Sequence, residues 1–108
     1  MIYIASPYSD PDPLIRELRF RQVCKYAARR MAEGALVFSP IAHSHPIALA
    51  GGLPSDIDYW RRFDAKMIDS CTMVEVLMLL GWERSKGIAW EIGYAHEHRI
   101  PVHYDPPD

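Results

Sequence analysis

Residues 73–95 read MVEVLMLLGWERSKGIAWEIGYA and divide into three parts. Residues 73–80 form a short apolar run, residues 81–87 carry two glycines, and residues 88–95 place apolar side chains at helical spacing. This succession predicts a strand, a loop and a helix, with Ser85 as the N-cap of the helix. We expect the rest of the chain to assemble around this unit.

The loop before this helix is suited to an anionic ligand. Ser85 and Gly87 would leave backbone N–H groups free at the positive end of the helix, where Lys86 adds a positive charge. This combination favours a phosphate or a carboxylate. Ser85 and Gly87 are therefore candidate substrate-binding residues.

Glu91 is a candidate for chemistry on the same helix. At 100° per residue, Ile88, Ile92 and Ala95 share one apolar stripe, and Glu91 lies within about 60° of Ile88 and of Ala95. We expect its carboxyl group to point toward the sheet, where burial raises the pKa and a held carboxylate can act as nucleophile or general base. The alternative is a glutamate that reaches solvent from the edge of the stripe, and spacing alone does not separate the two.

The composition is that of one small globular domain. The chain has 108 residues, of which 49% are hydrophobic and 24% charged, and its net charge of −2 gives no electrostatic footprint for nucleic acid. No apolar run approaches 18 residues, and no basic segment precedes the first apolar residues, so we expect neither a membrane span nor a signal peptide. Cys24 and Cys71 form no paired motif, which favours a reduced, cytoplasmic protein.

The N-terminal part reads as strand, loop and helix. Residues 2–5 predict a strand, and three prolines break the segment that follows, in which Ser6 and Tyr8 are candidate substrate-binding residues. Residues 14–33 predict a long helix, followed by a second strand at residues 35–38. Four arginines of this helix are interpreted as a solvated face: Arg16, Arg19, Arg29 and Arg30.

Residues 41–55 are the least regular segment and are interpreted as a mobile loop or lid over the strand ends. The spacing of His43 and His45 resembles half of a metal site, but no third histidine or cysteine is close in the sequence. We therefore predict no metal and no cofactor. His43 is instead a candidate contact to the substrate.

Asp64 is out of place on its helix. Residues 56–70 predict a helix whose apolar stripe includes Trp60 and Ile68, and Asp64 falls in the middle of that stripe. A carboxylate on an apolar face is either hydrogen-bonded in the interior or exposed at a cleft. The sequence leaves both alternatives open.

The order of elements predicts the fold class. A final strand at residues 100–104 completes an alternation of strands and helices, and parallel strands need crossover helices of this length. We predict a single α/β domain over residues 1–108, doubly wound in the Rossmann-like or flavodoxin-like manner. It should have three layers and a parallel sheet of four to five strands.

Three sets of residues together resemble the nucleoside 2-deoxyribosyltransferase superfamily. They are Tyr3 in the first strand, Asp64 before the third strand, and the pattern Ser85-x-Gly87-x-x-x-Glu91. The opening IYIASPY and the pattern Gly81-Trp82-x-x-Ser85-x-Gly87 look like a small, uncharacterised bacterial and phage branch of it. The resemblance spans most of the chain.

This resemblance implies roles for three residues. Glu91 matches the nucleophile that attacks the anomeric carbon of a deoxyribosyl N-glycoside, and water or a second base then resolves the covalent intermediate. Asp64 matches the aspartate that orients sugar or base, and Tyr3 matches the tyrosine that hydrogen-bonds the nucleophile. The transferases carry an aspartate six residues before the nucleophile; Ser85 at that position resembles the relatives that hydrolyse deoxynucleoside 5′-monophosphates.

Two classes of function follow as expectations. The first is an N-glycosidase or deoxyribosyltransferase acting on a nucleoside or nucleotide, and the second is a nucleotide-binding module of the same fold without chemistry. A purely structural oligomer would leave Glu91 and Asp64 unexplained. We also expect a homo-oligomer, dimer or tetramer, because Trp90 and Tyr94 fall opposite the apolar stripe and outward-facing aromatic residues are enriched in interfaces.

Overall fold

A four-stranded, all-parallel sheet forms the centre of the computed structural model, which describes residues 1–107. The elements follow one another as β1 (Ile2–Ala5), α1 (Pro13–Ala32), β2 (Val37–Phe38), α2 (Pro40–Gly51), α3 (Ile57–Asp69), β3 (Met73–Leu77), a 3₁₀ turn (Trp82–Arg84), α4 (Lys86–Glu97) and β4 (Val102–Asp105). No helix within residues 1–107 is both long and apolar enough to cross a membrane.

The sheet is covered by helices on both faces, which confirms the predicted three-layer, doubly wound α/β fold. One apolar cluster joins the sheet to α3 and α4 and includes Tyr3, Ile68 and Ile88. A second cluster joins the opposite face to α1 and includes Ile4 and Val23. Residues Tyr3 and Ile4 are neighbours in β1, and they point to opposite layers because side chains alternate along a strand.

The strand order β2-β1-β3-β4 places a topological switch point in the middle of the sheet. From β1 the chain crosses to β2 on one side, and it then returns past β1 to β3 on the other side. The loops that follow β1 and β3 therefore leave the sheet in different directions and open a crevice between them. Ligands of open α/β sheets bind at this position.

The prediction of a loop or lid at residues 41–55 is wrong, because residues Pro40–Gly51 form helix α2. The Ser39 side chain caps the helix by accepting from the Ala42 N–H at 3.0 Å, and Pro40 occupies the first helical position, where its missing N–H costs nothing. The helix ends at Gly52, whose φ of 64° suits a residue without Cβ. Ser39 and Pro40, which directly follow β2, thus mark the start of α2.

A polar cluster lies within the apolar layer between α1 and the sheet. Glu75 in β3 is buried, and the Arg30 guanidinium donates to both of its oxygens at 2.9 and 3.1 Å. The Tyr26 hydroxyl lies 2.5 Å from Glu75 and 2.6 Å from Asp105 at the end of β4. Arg30 therefore does not belong to the solvated face that the sequence predicted for α1. It pairs instead with a carboxylate in the sheet.

We predict that Arg30→Met lowers the free energy of unfolding by about 2 kcal/mol, because the substitution leaves the Glu75 carboxylate buried without its cationic partner. Chemical denaturation measures the loss. Arg61→Met is the matched control: its ion pair with Asp58 is exposed, so we expect a change within about 0.5 kcal/mol. Equal losses in the two variants would contradict the importance of the buried pair.

Candidate functional site

A cavity of about 530 Å³ opens at the switch point of the sheet. Its walls come from the loop after β1, from the segment between β3 and α4, and from helices α2, α3 and α4. The size is within the range of pockets that bind small molecules. Most of the predicted site residues line it: Ser6, Tyr8, Asp64, Ser85, Gly87 and Glu91.

Tyr3 and Glu91 form a short hydrogen bond at the floor of this cavity. The Tyr3 hydroxyl donates to Glu91 Oε2 at 2.5 Å, and both side chains are buried. Tyr3 comes from the middle of β1 and Glu91 from the second turn of α4, so the bond joins the sheet to the helix above it. One oxygen of the carboxyl group is held, and Glu91 remains among the residues that line the cavity.

Asp64 lies beside this pair, on α3. It is 5% exposed, and its Oδ1 has no hydrogen-bond partner among residues 1–107. The hydroxyl of Ser6, at the end of β1, is likewise buried and without a partner in the described chain. Buried polar atoms are almost always paired. Two such atoms in the wall of one cavity indicate a polar ligand.

Burial controls the protonation of the two carboxyl groups. It raises the pKa of Asp64 to about 7, and an interaction with Tyr3 partly opposes this shift. Burial also raises the pKa of Glu91 well above its ordinary value, while the Tyr3 hydrogen bond lowers it and the charge of Asp64 raises it further. At neutral pH the pair therefore keeps a proton, and the two groups titrate together.

Positively charged side chains lie beside the turn before α4. Ser85 caps the helix by accepting from the Ile88 N–H at 3.2 Å, as the sequence predicted. Gly81 has a φ of 91°, and an added Cβ there would meet Arg19 Nη2 at 3.2 Å and Arg84 Nη2 at 3.8 Å. Two guanidinium groups therefore lie against the turn. Together with the N–H groups at the start of α4, these guanidinium groups favour the binding of an anion.

The structure brings His45 to the cavity and leaves His43 outside it. Side chains two positions apart on a helix project about 200° from each other, so His43 and His45 point to opposite sides of α2. His43 is exposed and stacks on Phe63 at 4.9 Å between ring centroids. His45 is buried and lies 2.5 Å from the Tyr8 hydroxyl. Knowledge that residues 40–51 are helical would have separated the two histidines.

The arrangement supplies the parts of a substitution reaction at carbon. One carboxyl group is positioned by a tyrosine, a second carboxyl group is partly protonated at pH 7, and a turn suited to an anion lies in the same cavity. A positioned carboxylate can form a covalent intermediate. No group of three potential metal ligands comes together within residues 1–107.

Comparison with known proteins gives one match. A family model described as "Domain of unknown function (DUF1937)" matches residues 1–104. No curated protein matches the chain in sequence.

We predict that Asp64→Asn stabilises the protein relative to the wild type more at neutral pH than at acidic pH. The folded protein holds the Asp64 proton to about pH 7, whereas an unfolded chain loses it near pH 3.8, so wild-type stability falls as the pH rises through this window. The variant has no such proton. Its free energy of unfolding should gain up to about 3 kcal/mol on the wild type between pH 4 and pH 7.5.

Urea denaturation at the two pH values measures this gain. Asp69→Asn is the control, because Asp69 is exposed on the same helix and bonds the Tyr94 hydroxyl at 2.7 Å. It should change stability by a similar amount at both pH values. An Asp64→Asn variant that is destabilised equally at pH 4 and pH 7.5 would show that Asp64 has a structural role instead.

Proposed function

We propose that this chain, which belongs to the DUF1937 family, cleaves the N-glycosidic bond of a deoxynucleoside or of its 5′-monophosphate. The reaction is either hydrolysis or transfer of the sugar to a second base. The observation that carries the proposal is the hydrogen bond from Tyr3 to Glu91 at the floor of a cavity that Asp64 also lines. The resemblance to nucleoside 2-deoxyribosyltransferases independently matches the same three residues.

Glu91 acts as the nucleophile. Because the Tyr3 hydroxyl holds Oε2, the other oxygen, Oε1, attacks the anomeric carbon of the sugar. A new C–O bond forms as the C–N bond breaks, and the electron pair of the C–N bond leaves with the base. Water or the nitrogen of a second base then attacks the same carbon and restores the Glu91 carboxylate.

Asp64 orients the sugar. With a pKa of about 7, its carboxyl group is partly protonated at neutral pH and can therefore donate as well as accept a hydrogen bond. Asp64 and Ser6 both line the cavity, and Asp64 Oδ1 and the Ser6 hydroxyl are buried without a hydrogen-bond partner in the described chain. Sugar hydroxyls, which donate and accept, satisfy both atoms without introducing a charge next to Glu91.

The turn of Ser85 and Gly87 binds a phosphate group. Gly87 has no left-handed φ, and an added Cβ would make only ordinary contacts with Ser85 and Ile57. The backbone thus does not require glycine there, which favours close approach of a ligand as the reason for it. Lys86 and Arg19 in the cavity wall add charge, and Ser85 avoids the repulsion that an aspartate would cause.

One observation favours a second candidate, a nucleotide-binding module without chemistry. The raised pKa of Glu91 favours the protonated form of its carboxyl group, and a protonated carboxyl is a poor nucleophile. In the enzyme, the ligand and the nearby cationic groups must favour ionisation. In the binding module, Glu91 would serve only as a hydrogen-bonding group.

We predict that Glu91→Gln abolishes base release and leaves the fold intact. The rate of base release should fall at least about 1,000-fold, because the amide cannot act as the nucleophile that displaces the base. Chromatography of free base after incubation with deoxynucleosides and their monophosphates measures it. Glu97→Gln, on an exposed position of the same helix, is the control. Ligand binding by wild type without any base release would instead favour the binding module.

We predict that a deoxynucleoside 5′-monophosphate binds at least about 10-fold more tightly than the nucleoside, because of charge-assisted hydrogen bonds at the turn. Ser85→Asp should remove this preference by repulsion. Calorimetry on the Glu91→Gln variant measures both affinities without turnover. Lys66→Ala, outside the cavity, is the control. Equal affinities of the two ligands for the Glu91→Gln variant with Ser85 unchanged would favour a nucleoside substrate.

A homo-oligomer that uses the outer side of α4 belongs to the same proposal. Trp90 and Tyr94 lie there with ring centroids 5.3 Å apart, and both are half-buried rather than fully outward-facing. Gly93 between them has open space in place of a side chain, which allows another backbone to approach. Light scattering of wild type and of Trp90→Glu tests this: the wild type should exceed the monomer mass, and the variant should approach it.

A further inference from the structure

Three side chains on the α1 and α2 side of the cavity form a continuous hydrogen-bonded chain, and two of them, Tyr8 and His45, line the cavity. The Tyr8 hydroxyl lies 2.5 Å from His45 Nδ1, and His45 Nε2 lies 3.0 Å from Glu17 Oε1. Tyr8 belongs to the loop after β1, His45 to α2 and Glu17 to α1. The His45 ring thus joins Glu17, which is 28 positions before it in the sequence, to Tyr8, which is 37 positions before it.

The imidazole of this chain is held in place from several sides. His45 is 4% exposed and stacks on Phe20 with ring centroids 4.3 Å apart. The Tyr8 ring lies edge-on to the His45 ring, with the two ring centroids 5.4 Å apart. Both ring nitrogens have partners, and the ring has little freedom to turn. A fixed ring between a hydroxyl and a carboxylate is suited to pass a proton from one nitrogen partner to the other.

Protonation of His45 decides what Tyr8 can offer to a ligand. In the neutral ring, Nε2–H donates to Glu17, so Nδ1 accepts the Tyr8 hydrogen. In the imidazolium, both nitrogens donate, and the Tyr8 oxygen accepts from Nδ1–H. The hydrogen of the Tyr8 hydroxyl is then free to be donated into the cavity, which Tyr8 and His45 both line.

Charged groups surround this chain of hydrogen bonds. The Glu17 carboxylate accepts from His45, and this hydrogen bond is the main cause that lowers the pKa of Glu17. Arg21 lies 3.0 Å from the other Glu17 oxygen. The Arg16 guanidinium lies near Tyr8 and donates to the Asp10 carbonyl. The Cys24 thiol, whose pKa burial raises, also lies near Glu17 and stays neutral.

We propose that Tyr8 is the acid that protonates the departing base, with His45 and Glu17 as the positioning residues that restore its proton. The inference rests on the proposed glycosidic cleavage. In a displacement, the leaving group departs on the side opposite the nucleophile. Asp64 and Glu91 both interact with Tyr3 on the α3 and α4 side of the sheet, whereas Tyr8 enters the cavity from the side of α1 and α2.

The protons and electron pairs balance in both steps. In the first, the base takes the C–N electron pair and the Tyr8 proton, and Tyr8 takes the Nδ1 proton of His45, which becomes neutral. In the second, water attacks the anomeric carbon from the side the base has left. Tyr8 accepts the proton of this water and returns its own to His45, while the C–O pair goes back to Glu91.

The test compares two leaving groups on the same sugar phosphate. One substrate is the deoxynucleotide that the wild-type protein cleaves fastest; the other is 4-nitrophenyl 2-deoxyribofuranoside 5-phosphate, whose nitrophenolate departs without a proton. Tyr8→Phe should lower base release by about 100-fold and change nitrophenolate release by less than about threefold. Tyr59→Phe, an exposed tyrosine outside the cavity, is the control and should change neither.

A second variant supplies a readout that a structural role would not change. Glu17→Gln should also lower base release while leaving nitrophenolate release nearly unchanged, because it removes the carboxylate that holds His45 in place to restore the Tyr8 proton.

The outcomes separate this inference from the function on which it rests. Equal losses with both leaving groups in Tyr8→Phe, while wild type and Tyr59→Phe stay active, would overturn the role of Tyr8 alone. An unchanged rate of base release in Tyr8→Phe would do the same. A wild-type protein that releases base from no nucleoside or nucleotide would overturn glycosidic cleavage and this role together.

Discussion

The hydrogen bond between Tyr3 and Glu91 is the constraint on which the rest of the site depends. It joins the centre of the sheet to α4 in a layer that is otherwise apolar, and it leaves a carboxyl group where water is excluded. Burying such a group is costly unless it is paired or protonated. The raised pKa values of Glu91 and Asp64 follow from this position, because burial disfavours the ionised form of both carboxyl groups.

The topology explains why these groups face a shared cavity. The crossovers run in opposite directions from β1, so the loops after β1 and β3 separate. Arg19 connects them again: its guanidinium donates to the Tyr8 and Ser9 carbonyls and lies against Gly81. The cavity therefore has a positively charged turn at one place, a carboxyl pair at another and the Tyr8–His45–Glu17 chain on the remaining wall.

Helical spacing was sufficient to predict that Asp64 lies on an apolar stripe, that Glu91 lies at the edge of one and that Ser85 caps α4, because these depend on residues a few positions away. It left open whether the two carboxyl groups are buried, as the structure shows them to be. Tyr3 came from the family resemblance, since nothing in a strand marks one tyrosine as special. Helix α2 was not predicted, because Pro46 inside the helix and Pro40 at its start suggested a break. The partners of Glu75 and His45 were not predicted either, because contacts between residues 28 to 49 positions apart depend on how the layers pack.

The protonated carboxyl pair also changes the electrical character of the whole molecule. The formal charge of −2 counts every carboxyl group as ionised, yet burial raises the pKa of both groups of this pair. The folded molecule is therefore closer to electrical neutrality than its composition states, and its isoelectric point lies above that of the unfolded chain. Copies of the folded protein consequently repel one another less at neutral pH than their sequence implies.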